Sequence, residues 1–191
     1  MLMLNKILKN AVTIAIGGHI RPDGDCVGSS MGLYHYIRDN YNDKKVDVYL
    51  EEIPDKFYCL KSTELIRHEI AEDKEYDLFI SLDCGDKERL GFSAPLFDKA
   101  KRTYCIDHHI SNTGFAQDEY TVADASSTCE LVYQLMEYDK ISLDTAEALY
   151  LGIVHDTGVF QYTCATPSTF RMAASLLEKG VDGARLIQDT D

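Results

Sequence analysis

Three separate apolar stretches of this sequence run directly into side chains that ligate cations, and that placement restricts the folds open to the chain. Ala11 to Ile16 leads into His19-Ile-Arg-Pro-Asp23-Gly-Asp25, Tyr76 to Leu82 stops at Asp83, and Arg102 to Ile106 runs into Asp107-His108-His109. With Val46 to Leu50 these are short runs rich in Val, Ile, Phe or Tyr, the signature of buried strands. Helical spacing covers Leu2 to Asn10, Cys26 to Asp39, Ser127 to Tyr138, Asp144 to Val154 and Ser168 to Glu178. Ser126 and Ser142 stand where N-caps belong, Pro167 adjoins a helix start, and Gly180 follows a helix end. Strands alternating with helices predict an α/β fold, a mostly parallel sheet flanked by helices on both faces. Ligands bind such a sheet outside the carboxyl ends of its strands, so the three segments bring their acidic and imidazole groups to one edge.

The 191 residues are enough for one domain with its own core, and no repeat or linker interrupts them. Nineteen basic against 32 acidic residues leave a net charge of −13, which excludes a broad basic face for long duplex nucleic acid. A phosphorylated substrate is still compatible, because divalent cations on clustered carboxylates reverse the local field. Six dispersed cysteines without a CxxC pair predict reduced thiols and a cytoplasmic, soluble protein. The early run Ala11 to Ile16 is too short for a membrane span and lacks a cleavage site.

Asp23 and Asp25 flank one glycine in a turn stiffened by Pro22, so both carboxylates can face one small volume, although Asp and Gly also recur in purely structural turns. Asp83 either closes an apolar strand as a charge that needs a cation, or belongs to an exposed Asp-Cys-Gly-Asp turn. Adjacent His108 and His109 are hard to explain as core packing; one can bind a metal while the other faces substrate, with Asp107 orienting a ring. Asp156 ends the apolar run Gly152 to Val154, and its neighbour His155 competes for the same role. Two histidines and four carboxylates suit manganese or another octahedral divalent ion, and the lack of paired thiolates points away from zinc. Two such cations about 3.5 to 4 Å apart would share Asp83 and a bridging water, held in line with a phosphorus for ester hydrolysis.

The segments His19 to Ser29, Asp83-Cys-Gly-Asp86, Asp107-His-His109 with Ser111-Asn112, and Gly152 to Gly158 resemble, in order, the four motifs of the DHH phosphoesterase superfamily. Arg89-Leu-Gly91 and Ala125-Ser-Ser-Thr128 with Glu130 look most like its oligoribonuclease and pAp phosphatase branch. The resemblance implies that His19, Asp23 and Asp83 hold one manganese, and Asp25, Asp83, His108 and Asp156 the other. It implies catalytic roles for His109, facing the scissile phosphate, and for Asp107, and substrate contacts for Arg89, Ser29 and Ser30. The implied substrates are short oligoribonucleotides or nucleotides such as pAp, and the resemblance allows a homodimer. Residues 1–191 would form the catalytic domain, without the smaller substrate-binding domain usual in the family. Cyclic dinucleotides are a further substrate class. An inorganic pyrophosphatase would carry Thr at Gly24, and a RecJ-like exonuclease would lack the equivalent of His19. A metal- and nucleotide-binding regulatory module is the non-enzymatic alternative.

Overall fold

Leu78-Phe-Ile-Ser-Leu82 is buried at every residue, as a strand covered on both faces must be. It is β3 of a five-stranded sheet in the computed structural model, which describes residues 3–71 and 73–190. The other strands are β1 (Thr13–Gly17), β2 (Lys45–Tyr49), β4 (Thr103–Asp107) and β5 (Asp118–Thr121). All pair in parallel, in the order β2-β1-β3-β4-β5. Four strands follow the apolar runs to within two residues. β5, with the sequence Asp-Glu-Tyr-Thr on an exposed edge, carries no apolar run through which hydrophobic patterning could reveal it.

Among the described residues seven α-helices accompany the sheet: α1 (Met3–Ile7), α2 (Gly24–Asn40), α3 (Ala94–Lys99), α4 (Thr128–Gln134), α5 (Leu143–Asp156), α6 (Pro167–Glu178) and α7 (Gly183–Asp189). Helix α1 is shorter than the predicted Leu2 to Asn10, of which Leu2 lies outside the described residues. The predicted Ser127 to Tyr138 helix stops at Gln134, and α3 and α7, each a turn or two long, have too few residues to show a period. Ser142 caps α5 as expected, whereas α4 is capped by Ser127 rather than Ser126, whose hydroxyl donates to the Glu130 carboxylate instead. Pro167 opens α6, and Gly180, at φ +98°, follows its end.

Side chains alternate across the pleat. Ile14, Ile16, Leu78, Ile80, Leu82 and Ile106 face a large core with α2, α4, α5 and α6, while Ala15 and Phe79 face a smaller one with Leu96 and Phe97 of α3. Helices thus cover both faces.

Helices α2 and α5 run antiparallel and approach closely, because a Cβ on Gly24 would lie 2.5 Å from His155 Cγ, one on Gly28 2.5 Å from the Ala148 carbonyl oxygen and one on Gly32 2.7 Å from Leu149 Cδ2. The start of α2 therefore meets the end of α5. In the sheet, the chain steps from β1 to β2 on one side and to β3 on the other, which opens a crevice beyond the carboxyl ends of β1 and β3.

Candidate metal centre

The loop leaving β1 brings His19 into that crevice. Its Nδ1 lies 2.8 Å from the Ile20 carbonyl oxygen and so carries the proton, which leaves Nε2 3.3 Å from Asp83 Oδ2 and 3.6 Å from Asp23 Oδ1. Two long-range bonds fix the loop, from Ile20 N to Arg89 O at 2.7 Å and from Arg21 N to Glu51 Oε2 at 2.8 Å. Between them Arg21 adopts φ +54°, a conformation a non-glycine residue keeps only when its surroundings enforce it. Asp23 is the N-cap of α2, and its Oδ1 accepts from the amides of Asp25 and Cys26, both at 3.1 Å.

Asp25, in the first turn of α2, is fully buried. Its two oxygens accept from Thr128 N at 2.6 Å and Cys129 N at 2.9 Å, so this carboxylate also satisfies the free amides at the start of α4. Asp83 leaves β3 at φ +55° and accepts from the Thr128 hydroxyl at 3.1 Å. From the end of β4, His108 points Nε2 at three carboxylates: Asp156 at 3.2 Å, Asp83 at 3.4 Å and Asp25 at 3.7 Å. All six predicted ligands converge, with Asp83 between the two imidazoles.

Among the described residues no lysine or arginine pairs with Asp23, Asp25, Asp83 or Asp156; their ion pairs are with histidines alone. Burial, reinforced by Asp83 and Asp156, pushes the Asp25 carboxyl well up, and burial raises Asp156 as well. Burial works against ionisation of Asp83, yet hydrogen bonds from His108 and His19 outweigh it and hold that carboxyl below the usual range. Burial alone would depress both imidazoles, but bonds to Asp23 and Asp83 lift His19 to about 10, and bonds to Asp156 and Asp83 lift His108 to about 11. A divalent cation bound between these carboxylates would take over the charge compensation that the two imidazoles supply.

Both histidines stand above their ordinary 6.5 in the folded chain, so the metal-free protein holds more protons than its unfolded form over that interval. Their stabilisation is complete below pH 6.5 and is lost as pH rises through about 10 and 11. Cation binding at neutral pH is expected to displace about two protons, one from each imidazole. Calorimetric titration of Mn2+ in buffers of different ionisation enthalpy measures this number, and a value near zero would mean that neither histidine takes metal.

His109 lies at the margin of this group, within ligand reach of Asp83 and His108. Its Nδ1 lies 2.6 Å from Asp107 Oδ1 but 3.6 Å from Asp83, and the shorter bond claims that nitrogen. Asp107 is buried and accepts in turn from Asn112 Nδ2 at 2.7 Å. The Asp107 bond raises the His109 pKa despite burial, so the ring tends toward the protonated form with Nε2–H free.

Residues 13–153 match the DHH family, N-terminal domain. The chain belongs to the DHH family. The family match takes in His19, Asp23, Asp25, Asp83, His108 and His109 and ends three residues before Asp156. The chain is 32% identical over 183 residues to a Streptococcus mutans protein named probable bifunctional oligoribonuclease and PAP phosphatase NrnA, covering 94% of this chain and 56% of that one. It is 29% identical over 171 residues to the Bacillus subtilis bifunctional oligoribonuclease and PAP phosphatase NrnA, covering 87% and 53%. Among solved structures, an exopolyphosphatase-related protein from Bacteroides fragilis superposes with a TM-score of 0.90 at 28% identity, over 98% of this chain and 58% of that one. The chain thus spans little more than half the length of these DHH relatives. Among its described residues no helix is long and apolar enough to cross a membrane.

Several positions differ from what this DHH sequence led us to expect. Ser29 and Ser30 are fully buried inside α2, where the Ser29 hydroxyl donates to Cys26 O, so neither is accessible to a substrate. Packing over α2 buries them, which local sequence does not reveal. Arg89 is partly buried in the 3₁₀ turn Glu88–Ser93, and its carbonyl braces the His19 loop. Thr128 touches both Asp25 and Asp83. Its segment, Ala125-Ser-Ser-Thr128 with Glu130, entered the sequence analysis as a branch resemblance and not as support for the ligands. Cys26 lies within ligand reach of His19 and Asp83, but burial pushes its thiol well up and keeps it protonated. All six cysteines are free thiols.

Proposed function

We propose that this chain is the catalytic domain of a two-cation phosphoesterase that hydrolyses short oligoribonucleotides and nucleotides of the pAp type. The observation that carries the reading is Asp83, whose two oxygens lie 3.3 and 3.4 Å from imidazole nitrogens on opposite sides. His19, Asp23 and Asp83 would hold one cation, and Asp25, Asp83, His108 and Asp156 the other. The donor set fits: two buried carboxylates, Asp25 and Asp83, and two half-buried ones, Asp23 and Asp156, with no lysine or arginine partner among the described residues, and nitrogen and oxygen atoms of the kind manganese takes. When bound, the cation pair supplies charge to the phosphoryl oxygens and acidifies the attacking water.

The other residues handle orientation and protons. Asn112 holds Asp107, Asp107 holds His109 by Nδ1, and Nε2–H of His109 is directed to the scissile phosphate. As water oxygen bonds to phosphorus and the ester P–O bond breaks, that group donates its proton to the leaving oxygen or neutralises phosphoryl charge. Gly24 weighs against a pyrophosphatase, in which a threonine was expected there. A Cβ at this position would lie 2.5 Å from His155 Cγ.

Manganese-stimulated release of phosphate from pAp, and of mononucleotides from a short RNA, tests the reading directly. The absence of turnover on either, with both cations verified in the protein, would leave only a binding role. Asp107→Asn is expected to lower kcat roughly 10- to 100-fold while Mn2+ affinity stays the same, because Asp107 positions His109 without touching a metal. Steady-state rates combined with calorimetric metal titration separate those two effects.

A further inference from the structure

On the Asp156 side of the carboxylate cluster lies a cavity of about 180 Å³ whose walls include Lys56, Val154, His155, Val159 and Ile187. His155 stands at its boundary with the metal centre, since its ligand nitrogen falls within 4.8 Å of carboxylate oxygens on both Asp23 and Asp156. The missing side chain of Gly24 makes room for the ring, and Phe57 packs edge-on to it at 5.6 Å. Lys56 Nζ donates to Thr190 O at 2.8 Å, and no carboxylate pairs with it among the described residues. The wall that follows Asp156 is strained, with Gly158, Val159 and Phe160 at φ +55°, +55° and +63°. A β-branched valine in that conformation is an outlier that persists only where the surroundings hold it. Here Val159 N bonds Val154 O at 2.8 Å and Phe160 N bonds Thr157 Oγ1 at 3.0 Å.

We propose that this cavity is a subsite for a second, non-scissile phosphate of the substrate, with the Lys56 ammonium and a ring N–H of His155 as its donors. The inference rests on the phosphoesterase reading and adds a specificity to it. A nucleotide bearing two phosphates can place only one on the cations, and the other must avoid Asp23 and Asp156. The cavity offers a cation and an imidazole beside those carboxylates, with Val154, Val159 and Ile187 against the adjoining sugar.

The test compares pAp with 3′-AMP, which keeps the 3′-phosphate and lacks the 5′-phosphate. The wild-type chain is expected to favour pAp, and Lys56→Ala to lower the ratio of kcat/KM for pAp over 3′-AMP about tenfold, through KM, as loss of a charge-assisted bond requires. Lys56→Arg should keep most of that ratio, and Lys45→Ala, at the far end of β2, should leave it unchanged. Lys56 is exposed, so its replacement does not threaten folding. A wild-type chain without preference for pAp, or an unchanged ratio in Lys56→Ala, overturns the subsite. If neither nucleotide is turned over, the phosphoesterase reading fails separately. Calorimetric binding of the same pair to the Mn2+-loaded chain then decides: a preference for pAp lost in Lys56→Ala upholds the subsite, and equal affinities overturn it.

Discussion

Asp83→Ala is expected to abolish manganese-stimulated hydrolysis, lowering kcat by about a thousandfold or more. No other residue of the centre lies between both imidazoles, with His19 at 3.3 Å and His108 at 3.4 Å. Its removal therefore takes a ligand from both cations and leaves the pair without its bridge. Alanine would also sit at φ +55°, so part of any loss could come from backbone strain. Asp83→Asn removes that ambiguity, since asparagine accepts the left-handed conformation and matches aspartate in shape. The asparagine variant should keep the wild-type circular dichroism and lose hydrolysis and one equivalent of Mn2+. Near-normal turnover by a fully loaded Asp83→Asn protein would remove Asp83 from the centre of the mechanism.

Mn2+ at a hundredfold excess over its dissociation constant is expected to raise the melting temperature by roughly 5–10 °C. Among the described residues histidines are the sole ion-pair partners of Asp25, Asp83 and Asp156, and burial already pushes Asp25 and Asp156 toward neutrality. Bound cations replace these ion pairs with direct charge compensation, and they bind only the folded arrangement. The gain should grow from pH 6 to pH 8, because the imidazoles must release their protons to accept metal. Differential scanning calorimetry with and without Mn2+, on the wild type and on Asp83→Asn, measures it. An equal shift in both proteins would assign the effect to surface binding.

Short-range patterning accounts for much of the fold. Strands β1 to β4 are legible because each is an apolar run of strand length, and α2, α5 and α6 because they are long enough to show a helical period. The edge strand Asp118–Thr121 and the short helices α3 and α7 are not, since pairing with β4 rather than its own composition holds the strand, and the helices have too few residues to show a period. The capping residue of α4 was misplaced by one position because Ser126 and Ser127 are chemically alike, and only Glu130, which engages the Ser126 hydroxyl, tells them apart.

Five side chains, His19, Asp23, Asp25, Asp83 and His108, are brought together as a group by the sequence alone, whereas Asp156 ends helix α5 and reaches them through helix packing. A parallel sheet has only one carboxyl edge, and apolar runs ending in ligand-type residues must bring them there. Tertiary structure decided how that group is supported. Asp25 doubles as the partner of the α4 amides because α2 and α4 meet across a gap of more than 100 residues in sequence. Asp107 belongs to His109 rather than to His108 because the exit of β4 points His108 Nε2 at Asp156, Asp83 and Asp25 and sets His109 Nδ1 2.6 Å from Asp107. Ser29 and Ser30 are buried by packing over α2, and His155 reaches the edge of the centre only because Gly24 leaves it room. Such pairings depend on how helices pack over one another, and packing at that distance leaves no periodic trace in the chain.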